Sequence, residues 1–298
     1  MKMNYLREKT ERREESKVMV GKKIVNRIIF HLLVCTIGIV MIYPLIWMFF
    51  SSFKESRLVL STVDKLFPEK WEFSNYIKGW SGFGGTTFAT FFRNSIIVTC
   101  ISVIGNVIAS AMAAYGFSRI RFKGRGFFFI CMMLTMMVPN QVLVVPQYVI
   151  FNKLGWINTF LPITVPEWGG RAFFIFMIMQ FIAGIPKELD EAAEIDGCGK
   201  IRLFTHIMLP LIRSAMATSA IFSFYWKWDD FMGSLLYLNT PDKYTVSIAL
   251  KLFCDPTSVS DYGAMFAMCV LSLLPVIILF LFTQRYIVEG ISTSGLKA

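Results

Sequence analysis

Charged residues are scarce in this sequence, at 17% of 298 positions. Soluble domains have roughly a quarter, so this scarcity, together with 55% hydrophobic residues, excludes an ordinary soluble domain. A G-x-x-x-x-G-K-[ST] segment is also missing, since GCGKI at 197–201 lacks the upstream glycine and the hydroxyl residue after the lysine. Because that loop cradles nucleotide phosphates, we expect no ATP hydrolysis and no bound cofactor in this chain.

Signatures of metal sites and of catalysis are absent from the sequence as well. The six cysteines form no C-x-x-C pair and most lie in apolar stretches, which favours packing or free thiols over a metal site. The two histidines, His31 and His206, belong to no H-E-x-x-H pattern. A membrane-embedded enzyme is therefore a weak interpretation, because convergent catalytic groups are missing.

Long apolar runs are what the chain has instead. A hydrocarbon core ~30 Å thick requires about 20 apolar residues in a helix. Six such runs lie near Ile28–Phe50, Asn94–Phe117, Phe127–Ile150, Pro162–Ile185, Leu209–Leu236 and Gly263–Thr283. The sequence thus predicts an all-α polytopic membrane protein with six transmembrane helices in contact with lipid. We divide it into a basic leader, a membrane domain and a tail, at 1–27, 28–284 and 285–298.

Three prolines interrupt the apolar sequence between the third and fourth runs. Pro139, Pro146 and Pro162 lie in a region that never becomes soluble in character. Backbone groups that proline frees at membrane depth must bond to other protein or face a wet cavity. We therefore expect this region to line an internal passage or to contact a neighbouring subunit, in preference to a simple kinked helix against lipid.

The formal net charge of +10 raises the question of a nucleic-acid partner. The basic residues, however, are spread over the ends of the apolar runs and do not gather on one soluble face, which argues against nucleic acid. Lys and Arg accumulate in cytoplasmic loops, and here they concentrate in the leader and in the second connection, at 119–125. We expect a multi-pass protein of the cytoplasmic (inner) membrane with both termini in the cytoplasm.

A charged segment, 186–210, separates the fourth and fifth runs. Pro186 suits the start of a helix, and the acidic residues that follow, among them Glu191, are favoured at the positive end of the helix dipole. Gly197 supplies the left-handed stop, and a second amphipathic helix leads to Pro210, which starts the next span. We predict a helix, a tight turn and a second helix that project on the cytoplasmic side as a docking site. The alternative, a helix lying flat in the headgroups, suits its acidic first half poorly.

This segment resembles the E-A-A loop of ABC importer permeases, whose pattern is E-A-A, three residues, G, nine residues and I-x-L-P. The matching residues are Glu191, Ala192, Ala193, Gly197, Ile207, Leu209 and Pro210. YGFSRIRFKGR at 115–125 and QRYIVEGI at 284–291 are similar to the maltose-type carbohydrate permeases, specifically their six-span smaller subunit. Cys198 departs from a common alanine, and Ser214 from a frequent proline.

The resemblance implies a type I importer permease in which the loop is a coupling helix that inserts into a groove of an ATPase subunit. The implied docking residues are Glu191, Ala192, Ala193, Asp196 and Gly197, and the residues that set the loop geometry are Pro186, Leu209 and Pro210. It also implies a second homologous permease, an ATP-binding cassette ATPase dimer that holds ATP and Mg, and an extracytoplasmic solute-binding protein. The implied function is carbohydrate import, of an oligosaccharide, by alternating access.

Ionisable and aromatic residues within the apolar runs are candidates for the translocation pathway. They are Glu167, Arg171, Tyr225, Trp226, Lys227, Trp228, Asp229 and Asp230. Glu167 and Arg171 are spaced i, i+4, which favours a simple pair between them. In YWKWDDF the aromatic and polar side chains suit sugar stacking and hydroxyl hydrogen bonds, but they equally suit interfacial anchors.

Two other transport functions remain open. The E-A-A loop is shared by permeases for other small solutes such as amino acids or phosphate, although the QRYIVEG ending favours sugar. An ion-coupled secondary transporter is conceivable from buried carboxylates such as Glu167, Asp229 and Asp230. Such a transporter has no use for a docking loop, which makes it the weaker alternative.

Overall fold

The computed structural model describes the backbone of residues 2–253 and 261–295 and the side chains of residues 25–253 and 261–284. The leader's side chains up to residue 24, the side chains of the tail and Cys254 lie outside these ranges. Within the described residues the chain is helical and has no β-strand. The predicted all-α architecture is confirmed.

Fifteen α-helices follow one another along the described chain. In order they are α1 (Lys2–Ser51), α2 (Ser56–Val59), α3 (Ser74–Ser81), α4 (Phe88–Arg119), α5 (Arg125–Thr135), α6 (Asn140–Lys153), α7 (Leu161–Thr164), α8 (Ala172–Ala183), α9 (Glu188–Ile195), α10 (Lys200–Arg202), α11 (Leu209–Leu211), α12 (Arg213–Trp228), α13 (Phe231–Tyr237), α14 (Val246–Leu252) and α15 (Tyr262–Gly295). Short 3-10 turns occupy Val165–Gly169 and Pro241–Lys243, and a π-helix occupies Leu203–Met208.

Three helices in the described residues are long and apolar enough to cross a membrane alone. They contain the stretches Val25–Ser51, Phe88–Arg119 and Tyr262–Gln284, and they correspond to the first, second and sixth predicted runs. Three bent helix pairs reach the same length and composition together, which gives six spans if each pair is one span. The third, fourth and fifth runs are therefore the broken ones.

The run predicted over Phe127–Ile150 is divided in the structure. Helices α5 and α6 meet at an angle of 100°, and Pro139 lies directly ahead of the first residue of α6. Proline has no N–H and restricts the residue before it to extended conformations, so the helix ends ahead of Pro139. Pro146 is accommodated inside α6.

The predicted fourth and fifth runs are broken near their ends. In the fourth, the 3-10 turn and Gly170, at φ +73°, separate α7 from α8. In the fifth, the chain bends by 75° between Leu211 and Arg213, within the predicted run over Leu209–Leu236. Pro210 lies in the helical turn ahead of this bend, whereas the sequence predicts that it starts the span.

Helix α4 is the central element of the bundle. Ala111, Ala114 and Tyr115 of α4 pack in one buried cluster with Ile178 of α8. Farther along α4, Gly105 admits the ring of Trp168, since a β-carbon at Gly105 would lie 2.5 Å from that ring. One continuous helix therefore contacts the start of the fourth span, at Trp168, as well as the charged loop's side of the molecule.

Candidate coupling loop and intramembrane charge network

The first helix of the charged loop is α9, which turns by 79° from the helix of the fourth span. Its first turn contains Glu188, Asp190 and Glu191, as the dipole argument predicts. Pro186 lies two residues ahead of Glu188 and therefore outside the helix, which corrects its predicted place at the helix start. Its fixed φ acts on the connection from Ala183 to α9.

A Schellman motif ends α9 and reverses the chain. Gly197 has φ +77°, its N–H donates to the carbonyl of Glu194 at 3.0 Å, and the N–H of Cys198 donates to the carbonyl of Ala193 at 2.9 Å. The predicted left-handed stop at Gly197 is confirmed. The turn uses the backbone N–H of Cys198, so its departure from alanine leaves that hydrogen bond intact, and its half-buried side chain packs on the core. An ion pair between Glu194 and Lys200 crosses the turn.

The second helix of the loop changes its winding ahead of Pro210. The π-helix Leu203–Met208 is closed by the N–H of Leu209, which donates to the carbonyl of Phe204 five residues earlier. Pro210 has no N–H to continue the ladder, and the 75° bend into α12 follows at Ile212. Both loop helices thus lie steeply across the spans that flank them.

One edge of the loop is exposed and forms what we call the coupling surface. Four predicted docking residues belong to it, and three large apolar residues extend it. It consists of Leu189, Glu191, Ala192, Ile195, Asp196, Gly197 and Ile201. Ile195 is 85% exposed and Ile201 81% exposed, and apolar side chains displayed beside a tight turn are typical of a protein contact.

Two residues of the loop lie differently from the prediction. Ala193, predicted to dock, is only 6% exposed and packs against Tyr115 and Leu203 inside this chain, so it supports the loop from within. In the second helix, which the sequence predicts to be amphipathic, Phe204, Ile207 and Met208 pack on the core but Ile201 is exposed. A small apolar residue such as Ala193 suits a buried face and a partner surface equally well, so the sequence alone did not distinguish these two environments.

Sequence reasoning missed the residues that fasten the loop to α4. The Nε atom of Arg119 lies 2.9 Å from Oδ2 of Asp190, and the two side chains are 8% and 14% exposed. The same guanidinium donates to the carbonyls of Ile185 at 2.6 Å and Ile182 at 3.3 Å. Arg119 was interpreted only as a topology signal, and no local spacing connects it with Asp190.

A second group of predicted residues forms a charge network in the membrane domain, centred on Glu167. Its carboxylate accepts from Nε of Arg171 at 2.7 Å and from a terminal nitrogen of Arg171 at 2.5 Å. The predicted pair is confirmed. Nζ of Lys227 lies 2.9 Å from Oε1 of the same carboxylate, and the side chains of Glu167 and Lys227 are 6% and 7% exposed.

Lys227 extends this network to the break in the fifth span. Its Nζ donates to the carbonyl of Ile163 at 3.2 Å and lies 3.3 Å from Oδ2 of Asp230. Oδ1 of Asp230 accepts the N–H of Gly233 at 2.9 Å and so caps α13. Lys227 thus bridges Glu167 and Asp230, which the sequence analysis placed in two separate groups. Each buried charge therefore has a partner of opposite sign.

The remaining pathway candidates divide into exposed and buried side chains. Tyr225, Trp226 and Asp229 are exposed, and the Arg171 guanidinium carbon lies 5.9 Å from the Trp226 ring centroid. Trp228 is buried, and its Nε1 donates to the carbonyl of Ser272 at 3.2 Å. Trp228 packs inside the chain in this structure, and its pathway role stays a prediction.

Comparison with protein families shows the family to which this chain belongs. Residues 105–293 match the family described as binding-protein-dependent transport system inner membrane component. The chain belongs to this family. The residues include α8, the coupling surface, the whole charge network, the second half of α4 and most of α15, so the resemblance that the loop carries in the sequence is confirmed.

Curated relatives match over most of their length. A probable ABC transporter permease of Bacillus subtilis, YurM, is 36% identical over 86% of this chain and 83% of its own. The arabinooligosaccharides permease AraQ of Halalkalibacterium halodurans is 31% identical over 88% and 93%. The trehalose/maltose permease MalG of Thermococcus litoralis is 31% identical over 93% and 99%.

Solved structures share the fold. A bacterial ABC transporter involved in the import of the acidic polysaccharide alginate has a chain with a TM-score of 0.76 and 22% identity, and 88% of this chain and 96% of that chain are covered. The structure of a bacterial alginate ABC transporter with its pentasaccharide-bound periplasmic protein gives a TM-score of 0.64, 16% identity and coverage of 87% and 93%. These likenesses place the helices in a type I importer permease fold.

Proposed function

We propose that this chain is the permease subunit of an ABC importer and forms, with a second homologous permease, the pathway for an oligosaccharide. The observation that carries the proposal is the coupling surface, which a Schellman turn at Gly197 holds outside the packed core. The names of relatives that carry arabinooligosaccharides and trehalose or maltose support a carbohydrate as the solute.

The energy comes from a separate ATPase dimer that holds ATP and Mg, and this chain binds neither. The coupling surface offers the dimer acidic groups, Glu191 and Asp196, beside apolar ones, Ile195 and Ile201. Closure of the dimer displaces the coupling surface and switches the cavity between inward-facing and outward-facing states. Nucleotide shifts this equilibrium only to the extent that it binds one arrangement better than the other.

In this proposal both termini and the coupling surface face the cytoplasm, and the connection between α1 and α4 faces outward. An extracytoplasmic solute-binding protein delivers the oligosaccharide on that side, and the alginate transporter solved with its periplasmic protein supports such a partner. Within the membrane, the exposed Tyr225, Trp226 and Asp229 offer aromatic faces and hydrogen bonds for a sugar.

A charge reversal at the coupling surface tests the proposal. Glu191→Arg is expected to leave membrane insertion intact, to abolish co-purification of the ATPase and to abolish uptake of labelled oligosaccharides by cells. Asp64→Arg, an equal charge change at an exposed residue between α1 and α4, is the matched control for ATPase binding and should keep co-purification. Unchanged ATPase binding and uptake in Glu191→Arg would contradict the proposal.

The solute class is tested separately by competition. Uptake that unlabelled oligosaccharides suppress, while amino acids and phosphate do not, supports the carbohydrate assignment. Uptake that persists without ATP but collapses with the proton or sodium gradient would favour an ion-coupled transporter in place of an ABC importer.

A further inference from the structure

We infer that Arg119 and Tyr115 are positioning residues that fix the coupling loop to α4, so that displacement of the loop moves the membrane helices with it. The inference rests on the proposed function, because it concerns how movement at the coupling surface reaches the spans. It is carried by the contacts that these two side chains make with both halves of the loop.

Arg119 connects the ends of three helices. It is the last residue of α4, and its guanidinium donates to the carbonyls of Ile182, in the last turn of α8, and of Ile185, just beyond that helix. The last carbonyls of a helix lack partners within it, and a cation there also opposes the negative end of the dipole. From the same position Arg119 pairs with Asp190 in the first turn of α9.

Because this ion pair is buried, separation of α9 from α4 is energetically costly. Oδ1 of Asp190 and Nε of Arg119 are both buried, and neither has a hydrogen-bond partner in the part of the chain that the structure describes, so the 2.9 Å contact between Nε and Oδ2 is an ion pair. Arg119 is therefore the group that compensates this carboxylate, at the Oδ2 side. Moving α9 away from α4 would leave both charges without a partner and away from bulk water, which is strongly unfavourable.

Tyr115 holds the other half of the loop. It lies four residues before Arg119, on the same face of α4. Its hydroxyl donates to the carbonyl of Lys200 at 3.2 Å, and its ring lies 5.0 Å from that of Phe204. Lys200 begins the second loop helix, after the turn at Gly197. Arg119 thus fastens the loop before the turn, and Tyr115 fastens it after the turn.

Helix α4 carries these two contacts onward into the membrane domain. It continues without a break from Arg119 to Asn106, about 20 Å away at the rise of an α-helix. Oδ1 of Asn106 accepts the backbone N–H of Arg171 at 3.0 Å, and its Nδ2 donates to Ser223 of α12 at 3.1 Å. The coupling loop and the charge network therefore both contact the same continuous helix, α4.

The decisive experiment measures coupling in the assembled importer. The complex of both permeases and the ATPase dimer is reconstituted in proteoliposomes with the binding protein, and ATP hydrolysed per oligosaccharide imported is determined. For Arg119→Gln we expect the ATPase to remain bound and this ratio to rise about fivefold, within the range of coupling effects seen for residues between two sites. Arg119→Lys should recover part of the coupling, because lysine can pair with Asp190 but cannot also reach both carbonyls.

Two further variants separate coupling from folding. Arg121→Gln, at an exposed basic residue two positions away, should keep the wild-type ratio. Tyr115→Phe retains the ring and removes only the hydroxyl, so it should fold and raise the ratio of ATP hydrolysed to oligosaccharide imported about twofold. If Arg119→Gln does not insert into the membrane, Tyr115→Phe alone tests the inference. A lower yield or melting temperature with an unchanged ratio in both Arg119→Gln and Tyr115→Phe would overturn the inference. A wild-type chain that binds no ATPase would instead overturn the proposed function.

Discussion

Nζ of Lys227 lies 2.9 Å from Oε1 of Glu167, and both side chains are almost entirely buried. The contact joins the 3-10 turn of the fourth span to the end of α12 in the fifth. Since the same carboxylate also binds Arg171, Glu167 is the acid on which two cations depend.

Removal of the Glu167 charge should destabilise the protein. Glu167→Gln leaves Lys227 buried with Asp230, at 3.3 Å, as its remaining anion, so we expect a loss of up to about 3–5 kcal/mol, the typical cost of breaking a buried pair. We expect a clear fall in melting temperature in detergent. Glu69→Gln, which breaks an exposed pair with Lys65, is the control and should melt like the wild type. Equal melting of Glu167→Gln and the wild type would contradict the prediction.

The turn of the coupling loop should tolerate a methyl group at one glycine and not at the other. Gly197→Ala places a β-carbon at φ +77°, at a cost of roughly 1–2 kcal/mol, although open space surrounds it. Gly199→Ala adds the same methyl at φ −68°, also into open space, and should be neutral. We expect weaker ATPase co-purification for Gly197→Ala alone; equal binding by both variants would show that the left-handed turn is not needed.

The exposed isoleucines should contribute to ATPase affinity without affecting the fold. Ile195→Ser and Ile201→Ser each remove an apolar side chain whose burial in a contact is worth enough to weaken binding about tenfold. Ile77→Ser, at a 75% exposed position between α1 and α4, should bind normally. Affinity is measured by titrating the purified ATPase against the permease complex, and full affinity of both loop variants would place the contact elsewhere.

Asn158 should fasten the connection before α7 to the segment after α13. It is the only non-glycine residue with positive φ in the described part of the chain, at 61°, and its Oδ1 accepts the N–H groups of Asn239 and Thr240. Asn158→Gly loses these bonds but is free of strain, whereas Asn158→Ala also strains the backbone. We expect both to lower the melting temperature and Ala to be worse by about 1 kcal/mol. The opposite order would exclude backbone strain as a cause.

Features that depend on neighbouring residues were predictable from the sequence. The stop at Gly197 follows from local backbone preference, and the Glu167–Arg171 pair follows from a spacing of four residues. The six apolar runs follow from length and composition alone. The bend at Pro139 was foreseeable as an interruption, but its 100° angle depends on packing that a single run does not specify.

Contacts between distant parts of the chain were not predictable in the same way. Arg119 pairs with Asp190, and Lys227 with Glu167, across many intervening residues. Each of these charged residues had several possible partners once the helices were placed side by side. The inward orientation of Ala193 was missed for a related reason, because the rotation of α9 about its own axis decides whether that methyl group faces the core or a partner.

The cluster of Arg171, Glu167, Lys227 and Asp230 contains two cations and two anions, and they cancel. A unit charge carried across the bilayer responds to voltage by about 2.3 kcal/mol per 100 mV. A group of zero net charge that shifts as one body does no electrical work against that field. If the four residues move together, we therefore expect that movement to proceed with the same ease in energised and de-energised cells.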